Sequence, residues 1–226
     1  MINTIQVFPL ILLAGGQSSR MGTPKGLVDY QGQPWLLEQL SRFEAASGKE
    51  VVIVLGYHQE QYFERIPWLR GARYKASVQS GLAVSVVVNK TPEFGQFSSL
   101  QRAIPFLLEK DWSGAFVLPV DVPGPQREVY SRLGAAFNKE LEVVIPQYRS
   151  KGGHPVLLSR RFLGRLISLP VADNKARLDK QIRALSQEQV AKVRVSDPQV
   201  CLNINTQEEF RAFSDYRDGD HLNPDR

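Results

Sequence analysis

Leu12-Leu13-Ala14-Gly15-Gly16-Gln17-Ser18-Ser19-Arg20-Met21-Gly22-Thr23-Pro24-Lys25 runs on from an apolar stretch that begins at Val7. Residues 7–14 are too few to span a bilayer and have the length of a buried strand. The loop that follows matches neither G-x-G-x-x-G nor G-x-x-x-x-G-K-[ST], so neither common phosphate-binding fingerprint is present. Gly15 and Gly16 lack a Cβ, which lets the backbone take positive φ and come close to a ligand. Successive amide N–H groups in such a turn form a concavity for phosphate oxygens. Ser18 and Ser19 add hydroxyl donors, and Arg20 and Lys25 set two cations within one short loop. An anion cradle with two cations directly after a strand points to a nucleotide site. Two adjacent glycines alone would indicate only a surface loop.

The remaining apolar pattern alternates strands with helices. Strands are expected at 50–55, 84–88, 114–120 and 142–146, and helices at 34–46, 59–66, 98–109 (capped by Ser98) and 126–138. The run EVVIVL at 50–55 is continuous and β-branched, as in a strand covered on both faces. Repeated strand–helix–strand units imply an α/β fold, a Rossmann-like three-layer sandwich with a mostly parallel central sheet. Such sheets bind ligands beyond the carboxyl ends of their strands. In the last third, KGGHPVLLS (151–159) reads as a loop entering a strand. Helices are expected at 160–169, 175–185 and 206–214, an extended run at 190–195, and a frayed polar tail at 215–226. Residues 68–81 are longer than an ordinary connection and read as an insertion or a flap. No repeat or Gly/Ser/Pro-rich linker divides the chain, so residues 1–226 are expected to form one domain with its core at about 8–214.

At 226 residues, 42% hydrophobic and 23% charged, the chain can bury a full core and is neither disordered nor fibrous. Its one cysteine, Cys201, excludes an internal disulfide and a multi-cysteine metal site, and fits a reducing compartment. No secretory signal or membrane span is evident, so a cytoplasmic protein is expected. The net charge of +5 suits phosphorylated small molecules. Acidic and basic residues are interleaved without a basic tract, which argues against nucleic acid as a partner.

A second chemical signal is Phe116-Val117-Leu118-Pro119-Val120-Asp121, an apolar strand ending in one carboxylate. Asp121 at the ligand-facing edge suits Mg²⁺, which takes one or two carboxylates plus substrate phosphates; a turn aspartate before Pro123 is the plainer alternative. Between a strand and a helix, the segment 93–100 offers Gly95, Ser98 and Ser99 with free helix-start amides to a base or ribose, or only a cap. Thr206 and Glu209 form a capping box, and nearby Asn203 and Asn205 offer neutral carbonyl oxygens as weak metal ligands.

LAGGQSSRMGTPKGL (13–27) closely resembles the signature loop of the MobA-like nucleotidyltransferases. That group includes molybdenum cofactor guanylyltransferase and molybdopterin cytidylyltransferase, with the sugar-phosphate and methylerythritol-phosphate nucleotidyltransferases more distant. The likeness runs over about residues 10–213. It implies the nucleotide-diphospho-sugar transferase fold and transfer of a nucleoside monophosphate from a triphosphate to a phosphorylated acceptor, such as molybdopterin, with Mg²⁺ as cofactor. Catalytic roles would fall to Arg20, Lys25 and Asp121. The nucleotide would lie on Leu13, Ala14, Gly15, Gly16, Ser18, Ser19, Lys25, Gly95, Ser98 and Ser99, and the metal on Asp121, Asn203 and Asn205. Gly152, Gly153 and His154 would line the acceptor side. LAGG and the NINT segment (203–206) favour GTP, whereas GQFSSL (95–100) resembles the CTP-using branch. Alternatives are a sugar- or polyol-phosphate acceptor, or a nucleotide-binding regulator without catalysis.

Overall fold

Every residue of the first strand, β1 (Leu10–Ala14), is buried, and β1 lies inside a nine-stranded sheet. The protein is described by a computed structural model covering residues 8–173 and 176–221. On either side of β1 run β4 (Glu50–Leu55) and β7 (Gly114–Pro119), both parallel to it and buried throughout. Continuous apolar sequence is what such doubly covered strands need. Beyond β4 come β6 (Leu82–Val88), also parallel, and the antiparallel edge strand β5 (Ser77–Gln79). Beyond β7 come β10 (Val156–Ser159), β8 (Val143–Tyr148) and β11 (Val190–Arg194).

The three-layer α/β sandwich expected from the sequence is the fold found, with one reversal inside the sheet. β10 runs antiparallel to both β7 and β8, while β11 is parallel to β8. Parallel neighbours need a crossover of about a dozen residues or more. Residues 149–155 are too few for one and form instead a hairpin that includes β9 (Lys151–Gly152).

Side chains alternate across the sheet. Leu10, Leu12 and Ala14 face one core with Trp35, Leu36 and Phe43 of α1 (Trp35–Ala45), Tyr130 and Leu133 of α5 (Arg127–Ala136), and Phe210 and Phe213 of α8 (Gln207–His221). Ile11 and Leu13 face the other core, with Phe97, Leu100 and Ile104 of α4 (Gly95–Leu108) and Phe162 and Leu163 of α6 (Arg160–Leu166). A small hairpin, β2 (Asp29–Tyr30) with β3 (Gln33–Pro34), leads into α1. Among the described residues no helix is long and apolar enough to cross a membrane.

Four expectations are corrected. Residues 68–81 are not a flap: α2 (Gln59–Arg65) and α3 (Trp68–Gly71) lie together with Leu69 buried, and the chain returns as β5 on β6. Helix α4 starts at Gly95, so Ser98 lies inside it rather than capping it. α8 continues to His221, beyond the expected end at Ser214; residues 222–226 of the expected tail lie outside the described residues. Of the helix expected at 175–185, Leu178–Arg183 forms α7, residues 176–177 and 184–185 are not helical, and Lys175 lies outside the described residues.

Candidate active site

Above the carboxyl ends of β1, β4 and β7 opens a cleft of about 420 Å³. Leu13, Ala14, Gly15, Gly16, Ser18, Ser19, Arg20 and Lys25 line it from the first loop, Gly95 and Ser99 from the start of α4, and Asp121 and Asn205 from the far side. Gln17, Tyr57, Pro92, Glu93, Gln96 and Val120 also line it and were not singled out from the sequence. Tyr57 was the most accessible of these, because it follows β4 where that strand's carboxyl end meets the ligand edge.

The loop owes its shape to close packing at Gly15 rather than to positive φ there. The left-handed residues are Ser18 (φ 52°) and Gly22 (φ 68°), whereas Gly15 and Gly16 stay outside that region. A Cβ on Gly15 would come within 3.0 Å of Ser99 Oγ, and one on Gly56 within 2.7 Å of the Gly15 carbonyl. That carbonyl accepts the N–H of Tyr57 at 3.2 Å, and His58 Nε2 lies 3.1 Å from the Gln17 carbonyl. The first loop is therefore strapped to the end of β4. At its other end, the Lys25 N–H donates to Ser18 Oγ at 3.0 Å, and the Gly26 N–H donates to the buried Tyr62 hydroxyl at 3.2 Å.

Lys25 Nζ lies 3.1 Å from Asp121 Oδ2 and 2.8 Å from Asn205 Oδ1. Asp121 is held from behind by helix α1. The Trp35 indole N–H donates to the Val120 carbonyl at 2.7 Å, and Gln39 Nε2 donates to the Val122 carbonyl at 2.7 Å. Asn205 is brought in from far along the chain: Ile204 donates its N–H to the Asp121 carbonyl at 2.8 Å. The expected capping box is present, with Glu209 N–H donating to Thr206 Oγ1 and Glu209 Oε2 accepting from Thr206 N and Asn205 N. Those backbone donors, Asn205 first, with the Lys25 charge nearby, hold the Glu209 carboxyl below its usual range despite some desolvation.

Asp121 and Asn205 thus present two oxygens to one cationic group. Among the described residues no three His, Cys, Asp or Glu side chains gather into a metal cage. A single carboxylate with a neutral oxygen fits a hard ion such as Mg²⁺ that completes its shell with substrate phosphates and water. Asn203 is exposed and outside the cleft lining; its carbonyl accepts from Asn205 Nδ2 at 3.3 Å. Ser98 is also outside it. Buried Asn89, at the end of β6, donates to Ser98 Oγ at 2.8 Å and to Ser99 Oγ at 3.1 Å, which fixes the start of α4.

A second cavity of about 720 Å³ adjoins the first and shares Leu13, Glu93, Gly95 and Gln96 with it. Phe94, Phe97, Leu100, Val117 and Val156 give it apolar walls, and Arg177 and Asp179 line it from the start of α7. His154 lines it too, with Nδ1 buried and unpartnered. Burial holds the imidazole below its usual range, against a hydrogen bond to the Val117 backbone and the charge of Asp121. Gly152 and Gly153 line neither cavity. Gly152 is exposed in the β8–β9 hairpin, and Gly153 packs against Val200.

Residues 10–193 match the family model described as the MobA-like NTP transferase domain. A protein of Bacillus cereus (strain ATCC 10987 / NRS 248) named probable molybdenum cofactor guanylyltransferase is 26% identical over 215 residues, covering 88% of this chain and 92% of that one. Among solved structures, a nucleotidyl transferase from Methanothermobacter superposes with a TM-score of 0.69 at 17% identity, covering 93% of this chain and 97% of that one. Rv0371c from Mycobacterium tuberculosis H37Rv gives 0.68 at 23% identity, covering 93% and 99%. With the match spanning most of the chain, this protein belongs to the MobA-like NTP transferase domain family.

Proposed function

We propose that this nucleotidyltransferase-family chain joins a nucleoside monophosphate, GMP from GTP in preference to CMP from CTP, to a phosphorylated acceptor such as molybdopterin, releasing pyrophosphate in a Mg²⁺-dependent reaction. The observation that carries the reading is the Lys25–Asp121 contact of 3.1 Å at the mouth of the first loop; it supports a site in which Lys25 meets phosphate and Asp121 meets the metal. An oxygen of the acceptor phosphate attacks the α-phosphorus, the bond to the β-phosphate breaks, and its electron pair leaves with pyrophosphate. The acceptor phosphate is already ionised at neutral pH, so no base need remove a proton. Catalysis then rests on positioning and charge neutralisation. Loop amides from Gly15 to Ser19 hold the triphosphate, and Arg20, exposed and without an ion pair among the described residues, meets the leaving pyrophosphate together with Lys25. Asp121 and the Asn205 carbonyl would hold Mg²⁺, which neutralises charge on the phosphate oxygens.

For the acceptor, the adjoining apolar cavity suits a flat heterocycle whose N–H donates to His154 Nδ1. The names of the curated relatives favour molybdopterin and GTP. Pyrophosphate release with GTP, CTP, ATP and UTP, each against molybdopterin and a panel of sugar and polyol phosphates, tests both choices. Release with GTP and molybdopterin is expected; release only with a sugar phosphate would overturn the acceptor, and only with another triphosphate the base.

A further inference from the structure

We infer that Lys25 is a two-position cation: at rest its ammonium fills the site made by Asp121 and Asn205, and it gives that site up when a nucleotide enters. The inference rests on the metal reading above and adds the order in which the ions arrive.

The ammonium is 2.8 Å from Asn205 Oδ1 and 3.1 Å from Asp121 Oδ2, so both side-chain oxygens that would face a divalent ion are already engaged. A divalent ion on that carboxylate oxygen would sit beside a like charge. Glu209, which senses Lys25, adds a negative charge behind Asn205. Removal of the lysine charge leaves the Asp121 carboxylate and the Asn205 carbonyl oxygen facing a vacated cation position.

Lys25 can move. Its side chain is 17% exposed, its stem is flexible, and it lines the same cleft as Gly16, Ser19 and Arg20. Its backbone cannot, because Ser18 and Tyr62 hold the amides of Lys25 and Gly26. A triphosphate over the loop offers the ammonium several negative charges within that swing. The free protein would therefore take up divalent metal poorly, and nucleotide binding would open the site.

The test is a titration of the nucleotide-free protein with Mn²⁺, read by electron paramagnetic resonance of the unbound ion. Wild type, Lys25→Met, Asp121→Asn and the double variant would be compared, each first shown to be folded by circular dichroism and thermal unfolding. Lys25→Met is expected to bind Mn²⁺ at least about tenfold more tightly than wild type, and the double variant to lose that gain. Equal or weaker Mn²⁺ binding by Lys25→Met would overturn the handover and leave the metal assignment standing. A double variant that keeps the full gain would instead overturn Asp121 as the metal ligand. Lys25→Gln guards against a side effect of the apolar methionine, and should behave as Lys25→Met does.

Discussion

Gln39 and Gly124 face each other across the back of the active site, with Gln39 Oε1 accepting the Gly124 N–H at 2.7 Å. Gln39 is fully buried in the middle of α1, and its Nε2 donates to the Val122 carbonyl from the same side chain. One amide therefore satisfies both backbone groups that flank the turn after Asp121. Gln39→Leu keeps the volume and strands a buried N–H and a buried carbonyl, each costing about 1–3 kcal/mol. We expect a stability loss of about 2–4 kcal/mol by urea unfolding, together with a larger fall in kcat than rise in KM for the nucleotide. A variant as stable and active as wild type would show that Gln39 does not position Asp121.

Asp121→Ala should abolish pyrophosphate release while leaving the fold intact. Asp121 is 26% exposed, and Lys25 keeps Asn205 and solvent as partners, so the change in unfolding free energy should stay within about 1 kcal/mol. Lys25→Ala should slow single-turnover transfer by at least about tenfold, equivalent to about 1.4 kcal/mol. Metal-dependent turnover surviving in Asp121→Ala would remove the metal role, and unchanged single-turnover kinetics in Lys25→Ala would remove the lysine from the chemical step.

Gly56, packed under the first loop, and Gly16, in the cleft, separate packing from ligand approach. A methyl on Gly56 would lie 2.7 Å from the Gly15 carbonyl, which is backbone and cannot rotate away, whereas a methyl on Gly16 meets nothing within 4 Å. Gly56→Ala should therefore push the first loop off β4, with a stability loss of about 1–3 kcal/mol and weaker nucleotide binding. Gly16→Ala should leave the thermal midpoint unchanged and raise the nucleotide Kd only if phosphate rests on that amide. Thermal unfolding with and without nucleotide reads both effects in one experiment.

The layered fold was legible because β1, β4 and β7 are written as continuous apolar runs, a pattern that only doubly covered strands need. The meeting of Lys25 and Asp121 was legible for a related reason: both follow strands that turn out to be neighbours, and ligands gather at such ends. The reversal of β10 was not, since VLLS carries no direction and only the shortness of 149–155 constrains it. Asn205 and Asn203 are indistinguishable by type, and the difference between them comes from the Ile204–Asp121 contact and the Glu209 cap, which tie one asparagine to the cleft. Gly15 was singled out for the wrong freedom, because its need for a missing Cβ arises from Gly56 and Ser99, far along the chain. Glu93 and Gln96 escaped notice because their place between two cavities exists only after α4 has packed.

His154 should make stability and acceptor binding respond to pH in one direction. Burial holds its pKa below the usual value of 6.5, so at neutral pH the ring is uncharged and Nδ1 can accept a hydrogen bond. The unfolded chain takes up a proton near 6.5 that the folded chain still refuses. Stability from this residue is therefore full above that pH and is lost progressively as pH falls from about 6.5 through the folded pKa. Wild type should lose stability relative to His154→Gln over that window in denaturant titrations between about pH 5 and 8. At pH 7, His154→Ala should raise the acceptor KM by roughly fivefold, about 1 kcal/mol, with the nucleotide Kd unchanged, because the residue lines only the adjoining cavity. Parallel denaturation profiles for wild type and His154→Gln would mean that the ring charges freely in the folded protein, and the apolar wall around it could not then be what selects the acceptor.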